Sequence, residues 1–390
     1  MCSVNNDLNI LYLTSFDPFI YRRPIFAKMA IPELKIVNYV DAYMQWMSGL
    51  GKSLQFIRRG IRKIERRLLK TPRISGDYLA SAYLNDFIYY LPISKIKAKN
   101  IITLNTPLAL VSKQMVRDRS IIVDWMDVWM WPWEEMNPIE IQAVEEADGV
   151  IFWSKPFMKL MTKRLRIKKY TYVPYGINLK NFDPLKSGNG TSFRRKFNLE
   201  GKFLITYSGG VWRPINLDLQ GIDKVLKAFQ LISNRLKNAV LVLQLLSIDV
   251  QTLKLLKELN IKDKTIVIGA LPFNSSDRLN LFSATDLFIA PTTRHPISYY
   301  SERMKFFQYM AAGKPILAEE APGTKSVFNN DAYYVKLDDV DAMADAILKL
   351  YYDEDLRGQL GYKSRKRLET FFEWSKLMPI YKNFILSILS

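Results

Sequence analysis

The chain has 390 residues, 48% apolar and 24% charged, which suits one or two globular domains with a large core and excludes a disordered chain. A single cysteine, Cys2, excludes an intramolecular disulfide and a cysteine-based zinc site, and a single histidine, His295, excludes a histidine-rich metal centre. A formal charge of +18 calls for a partner of opposite sign, namely nucleic acid, anionic lipid or a phosphorylated substrate.

In chain order, short β-rich runs predict strands at Ile10–Thr14, Ile36–Val40, Phe87–Leu91, Ile101–Leu104, Ile121–Asp124, Val150–Trp153 and Thr171–Pro174. Between the second and third lies Lys52–Arg73, with nine Lys or Arg against one acidic residue, Glu65. Its Leu54, Ile57, Ile61, Ile64 and Leu68 recur at helical spacing, so a basic amphipathic helix is predicted over 52–70. Arg58, Arg62 and Arg66 would face an anionic membrane surface; the alternative is a stripe packed on the core with its charges in solvent. Ser120–Ser154 has the opposite character: eight Asp or Glu, no Lys or Arg, and five tryptophans. Trp129, Trp131 and Trp133 read either as the mouth of an acceptor site, since aromatic faces stack on sugar rings, or as ordinary core residues.

Pro174–Gly190 is linker-like, and beyond it the pattern becomes regular. Strands are predicted at Phe203–Ser208, Val240–Leu246, Thr265–Ile268, Asp286–Ala290, Pro315–Ala318 and Tyr333–Lys336, separated by helices at Ile222–Ile232, Val250–Leu259, Asp277–Ala284, Ser301–Ala312 and Val340–Tyr352. Asp338 and Asp339 are natural caps for the last of these. The tail, Glu373–Ser390, reads as a terminal helix. Alternation of this kind means parallel sheets covered on both faces. The domains are expected at 1–185 and 186–372, with the helix 373–390 packing back towards the first. No run reaches 18 consecutive apolar residues and the start lacks signal-peptide character, so neither a membrane span nor secretion is expected.

The most informative stretch is Ser301-Glu-Arg-Met-Lys-Phe-Phe-Gln-Tyr-Met-Ala-Ala-Gly-Lys-Pro-Ile-Leu-Ala318, a helix ending on Gly313 with Lys305 near its start. A helix N-terminus with a lysine one turn in suits a phosphate, although an ordinary crossover helix would also read this way. The run Lys305–Ile316 resembles the donor-site signature of glycosyltransferase family 4, retaining enzymes of the GT-B fold. Val173–Phe182, Tyr207-Ser-Gly-Gly210, Gly221–Phe229, Ala284–Pro291 and Pro322-Gly-Thr324 resemble further family segments in order and spacing. Tyr21-Arg-Arg-Pro24, Asp124-Trp-Met-Asp127 and Ala147-Asp148 carry a weaker likeness in the first half.

The resemblance implies two facing doubly wound, Rossmann-like domains with a cleft between them and a nucleotide-sugar donor held on the second. It implies that Gly209, Gly210, Gly323 and Thr324 meet the diphosphate, with Lys305 as its main cation and Arg213 assisting. Where the family has paired glutamates for sugar and ribose hydroxyls, this chain has Gln308 at the second position and Tyr300 or Ser301 at the first, with Glu302 nearby. Gln220 stands at a family lysine position. The family's acceptor-domain histidine is absent; Asp124 or Asp127 would orient the acceptor hydroxyl or stabilise the transition state, or else both are strand-end hydrogen-bonders. His295 would touch the donor or sit in a solvated loop.

The function expected is retaining sugar transfer to a lipid-linked or oligosaccharide acceptor, without a metal or other cofactor, by a cytoplasmic protein peripheral to the inner face of the cell membrane. A GT-B-shaped subunit without catalysis is the alternative. Nucleic acid is not expected as a partner, because no recognised binding motif accompanies the charge.

Overall fold

The computed structural model describes residues 9–14, 22–48, 91–116, 118–126, 138–213 and 217–389. The expected basic helix 52–70 with Arg58, Arg62 and Arg66 lies outside them, as do Tyr21, Asp127, Trp129, Trp131 and Trp133. The strand expected at Phe87–Leu91 also falls outside, except for Leu91, which opens a short 3-10 turn, Leu91–Lys95. The described residues form two compact units. One takes in the chain up to Trp153 together with Phe157–Val173 and the stretch from Met378 onwards; the other comprises Ser154–Pro156 and Pro174–Leu377.

The first unit is built on six parallel strands: β1 (Ile10–Thr14), β2 (Lys35–Asn38), β3 (Asn100–Thr103), β4 (Ser120–Trp125), β5 (Gly149–Phe152) and β6 (Tyr170–Tyr172), in the order β2-β1-β3-β4-β5-β6. β1 and β5 are buried throughout, as strands covered on both faces must be, and their sequences are accordingly almost purely apolar. Helix Thr106–Met115 starts where Asn105 accepts a hydrogen bond from Leu108 N.

A buried polar knot ties this unit together. Asp124, at the end of β4, accepts from Tyr12 Oη at 2.9 Å, Arg23 Nε at 3.0 and 3.1 Å, Trp153 Nε1 at 2.6 Å and Tyr381 Oη at 3.1 Å. Arg23 and Asp124 are both wholly buried. Arg23 also donates to Val173 O and lies over the rings of Phe26, Trp153 and Tyr381. Burial pulls the guanidinium pKa down, but the charge and hydrogen bonds of Asp124 leave it raised. Tyr381 comes from the terminal helix Trp374–Leu389. The same helix sets Ile388 and Phe384 so close to β5 that a Cβ at Gly149 would come within 2.2 Å of Ile388.

The second unit has β7 (Phe203–Gly209), β8 (Ala239–Leu245), β9 (Thr265–Ile268), β10 (Leu287–Ala290), β11 (Ile316–Glu319) and β12 (Tyr333–Val335), all parallel, in the order β12-β11-β10-β7-β8-β9. The six strands expected from the sequence are all present within two residues. Helix Ile222–Ile232 buries Ile222, Val225, Leu226, Ala228, Phe229 and Ile232, one apolar stripe against the sheet. Asp249, Ser275, Asp339 and Asp353 each cap a helix through a side-chain oxygen. Asp338, expected to share the capping, instead takes a left-handed φ of 67° and pairs with Lys224 and Arg294. The helix expected at Ser301–Ala312 begins only at Met304, as Met304–Ala311, because Glu302 and Arg303 are drawn into other contacts; a separate short helix, Pro296–Tyr299, precedes it. Among the described residues no helix is long and apolar enough to cross a membrane.

Candidate functional site

In the second sheet the connections run outward in opposite directions from β7 and β10, which lie side by side. Such a switch point leaves a crevice beyond the carboxyl ends of the strands, where doubly wound sheets hold ligands. Gly209 ends β7 there and Gly210 follows it, and Pro291 and Thr292 follow β10. Gly221, which opens helix Ile222–Ile232, has φ 79°, and a Cβ on it would press on Pro291 and on the carbonyl of Thr292 at 3.0 Å.

Lys305, on the first turn of helix Met304–Ala311, reaches this point. Its Nζ donates to Tyr207 Oη at 3.1 Å and to Gln220 Oε1 at 3.5 Å, and lies 4.2 Å from the centre of the Tyr207 ring. A Cβ at Gly209 would stand 3.3 Å from the Lys305 side chain, so glycine leaves the lysine its path. At Gly210 a Cβ would meet, among the described residues, only Leu246, at 3.8 Å. Lys305 is 7% exposed. Burial pushes its ammonium well below the ordinary lysine range, and the neighbouring Arg303 charge adds to this against the pull of Asp218. A buried lysine whose hydrogen-bond partners are neutral oxygens is poised to take an anion, which would favour its charged form.

Arg303, absent from the sequence expectations, ties the crevice together. Its guanidinium donates to Gln220 Oε1 at 2.9 Å, Leu219 O at 3.1 Å, Pro291 O at 3.3 Å and Ser298 Oγ. It therefore sets a second cation beside Gln220, at the position where the resemblance led us to look for a lysine. No local sequence signal marks it, because it falls inside the helix expected at Ser301–Ala312.

The other expected residues are distributed as follows. Gln308 is buried one turn after Lys305, and its Oε1 accepts from Arg278 Nη2 at 2.8 Å, a partner the sequence did not suggest. Glu302 is buried and accepts from Ser326 Oγ at 2.6 Å. Thr324 Oγ1 accepts from Ala321 N and donates to Glu319 O at 2.7 Å, fixing the start of helix Pro322–Phe328. Gly323 packs directly on Ser301, where a Cβ would be 2.2 Å from the carbonyl oxygen. His295 caps helix Pro296–Tyr299, its Nδ1 accepting from Ile297 N at 3.3 Å, and burial pushes its pKa down to about 4.

Two expected site residues have their polar groups turned to protein partners. Arg213 donates to both oxygens of Asp223 at 2.7 and 2.8 Å and pairs with Asp249 at 3.3 Å and Asp218 at 3.9 Å. Burial lowers its pKa, but these carboxylates raise it further, so its charge is already offset. Asp124 lies under the first sheet's end with its oxygens occupied, which fits the strand-end role rather than an open acceptor contact. Trp125 and Trp153 are likewise buried.

Residues 196–367 match the family model of "Glycosyl transferases group 1". The capsular polysaccharide biosynthesis glycosyltransferase CapM of Staphylococcus aureus is 26% identical over 159 residues, 35% of this chain and 42% of the relative's length. Among solved structures, Anabaena Alr3699/HepE in complex with UDP and glucose superposes with a TM-score of 0.68 at 13% identity, covering 97% of this chain and 99% of that one. Sucrose-phosphate synthase from Thermosynechococcus elongatus gives a TM-score of 0.64 at 19% identity, with 81% of each chain covered. The fold is GT-B.

Proposed function

We propose that this protein is a glycosyltransferase that moves a sugar from a nucleotide-sugar donor to a saccharide or lipid-linked acceptor. The carrying observation is Lys305, a buried ammonium at the switch point of the second sheet, held by neutral groups beside Gly209. The donor diphosphate would take the place in front of Lys305, with Arg303 close behind it, and the two cations would stabilise the charge that develops on the leaving nucleoside diphosphate. HepE has been solved with UDP and glucose, and CapM is named for glycan synthesis; both support a sugar nucleotide as donor here.

Retention of anomeric configuration, by departure of the nucleoside diphosphate from the face on which the acceptor arrives, belongs to the same reading, as does independence from a metal. The acceptor is assigned to the first unit, with Asp127 and the tryptophans Trp129, Trp131 and Trp133 at its mouth. The basic stretch Lys52–Arg73 supports a peripheral place at the inner face of the cell membrane. A second reading, a GT-B-shaped subunit that binds a nucleotide without turnover, draws on the carboxylate-bound Arg213 and on Gln308 standing where a glutamate was expected.

Thermal shift of the full chain against UDP, GDP and their sugars tests the donor assignment. At least one nucleotide at 1 mM concentration, of the order of ten times a 0.1 mM Kd, is expected to raise the second unit's Tm by a few degrees. No shift with any of them would sink the reading.

A further inference from the structure

Tyr207 does more than pack beside Lys305. It lies on β7, three residues before Gly210, and is wholly buried. Its Oη donates to Gly210 O at 2.7 Å, so the side chain turns back to the end of its own strand. The phenol has one proton and the carbonyl takes it, which leaves only oxygen lone pairs for any other neighbour. Lys305 Nζ donates to that oxygen at 3.1 Å and lies 4.2 Å from the centre of the ring. A hydroxyl that already donates is the better acceptor, and an aromatic face attracts a cation.

Among the described residues the lysine has one other hydrogen-bond partner, Gln220 Oε1 at 3.5 Å, an oxygen that Arg303 Nη1 holds at 2.9 Å. Gln220 is the weaker of the two, being further away and already engaged. Burial disfavours the charge on Lys305, Arg303 repels it and Asp218 attracts it. The charged and titratable groups acting on the phenol are Tyr309, Arg303, Asp218 and Arg213. Gly209 lets lysine and tyrosine meet, since a Cβ there would stand 3.3 Å from both Tyr207 Oη and the Lys305 side chain.

We propose that Tyr207 is the positioning residue for Lys305, and that its oxygen and ring hold the side-chain nitrogen in its charged form beside Gly209 and Gly210. The neutral amine gains less from the same contacts, because the hydrogen bond loses its charge assistance and the ring its cation. The role serves the donor site proposed above and rests on that reading.

The test follows Lys305 itself, by NMR of the full chain labelled in its lysine side chains, with Lys305→Met to identify the signal. Tyr207→Phe keeps the ring and removes the oxygen. It is expected to lower the pH at which Lys305 titrates by about one unit, the difference between a charged and a neutral hydrogen bond. Gln220→Leu is expected to lower it by less. Calorimetry with UDP and GDP reads the consequence for the site. Affinity is expected to fall on the alkaline side in wild type, and to start falling about one pH unit lower in Tyr207→Phe, whereas a residue that merely packs would weaken binding equally at every pH. A folded Tyr207→Phe in which Lys305 titrates as in wild type overturns the proposal, as does affinity lowered by the same factor at every pH. Should Tyr207→Phe not fold, a fall of about one unit or more in Gln220→Leu overturns it, since the charge would then rest on the glutamine, and a smaller fall supports it. Wild type that binds neither UDP nor GDP overturns the nucleotide-sugar reading and the role of Tyr207 within it; nucleotide binding with an unmoved Lys305 titration overturns this proposal alone.

Discussion

Asp124→Asn discriminates sharply between two roles for a residue at the carboxyl end of a sheet. In the structure its carboxylate takes donors from Tyr12, Arg23, Trp153 and Tyr381, and its partner Arg23 is fully buried. An asparagine keeps one acceptor oxygen but turns an NH2 group towards donors and leaves the guanidinium without a counter-charge. Removing one partner of a buried pair costs about 3–5 kcal/mol. For a unit of this size that corresponds to roughly 10 °C in Tm. Differential scanning calorimetry should record this loss in the first unit's transition, and the paired replacement Arg23→Met with Asp124→Leu should not recover it, since the lone charge is gone but Tyr12, Trp153 and Tyr381 lose their buried acceptor, at about 1–3 kcal/mol each. If Asp124→Asn melts within about 2 °C of wild type and yet abolishes sugar transfer, the structural role is wrong and the residue acts on the acceptor.

Two further outcomes follow from the second unit. His295 is held neutral by burial with a pKa of about 4 against an ordinary 6.5, so the unfolded chain takes up a proton between these values and the folded one does not. Stability attributable to this group is therefore complete above about pH 7 and falls by about 2 kcal/mol by pH 5; urea unfolding of His295→Gln against wild type should show the wild type losing that much more on acidification, and parallel pH profiles would contradict it. Gly323→Ala forces a Cβ against the Ser301 carbonyl, a backbone atom that must shift and carry the Ser301–Lys305 segment with it. Nucleotide Kd should rise at least severalfold with a Tm drop of a few degrees, and unchanged binding would show that this loop does not set Lys305.

Much of the fold was legible because its signals are local. Parallel strands covered on both faces are short apolar runs, and Asp339, Ser275 and Asp249 announce helix starts within three residues. The site was less legible because its polar partners are chosen across the chain. Asp124 pairs with Arg23, 101 residues away, and with Tyr381, 257 away; nothing near Asp124 in sequence distinguishes an open carboxylate from a saturated one. Arg278 finds Gln308 30 residues on, and Arg303 finds Leu219 and Gln220 across more than 80. The true start of helix Met304–Ala311 was hidden for the same reason: Glu302 and Arg303 have helical propensity, but Ser326, Ser298 and Gln220 hold their side chains elsewhere. Lys305 was found from the family-like run around it, whereas its neutral surroundings became visible only in three dimensions.

Release of nucleoside diphosphate from UDP-glucose and from a panel of other UDP- and GDP-sugars, by wild type and by Lys305→Met side by side, tests the central claim most directly. A buried cation that stabilises the leaving diphosphate should be worth about 3 kcal/mol in the transition state, so the variant is expected to turn over at least roughly a hundredfold more slowly while keeping its fold by circular dichroism. Equal release rates for wild type and a folded Lys305→Met, on any donor that is turned over, would contradict the account.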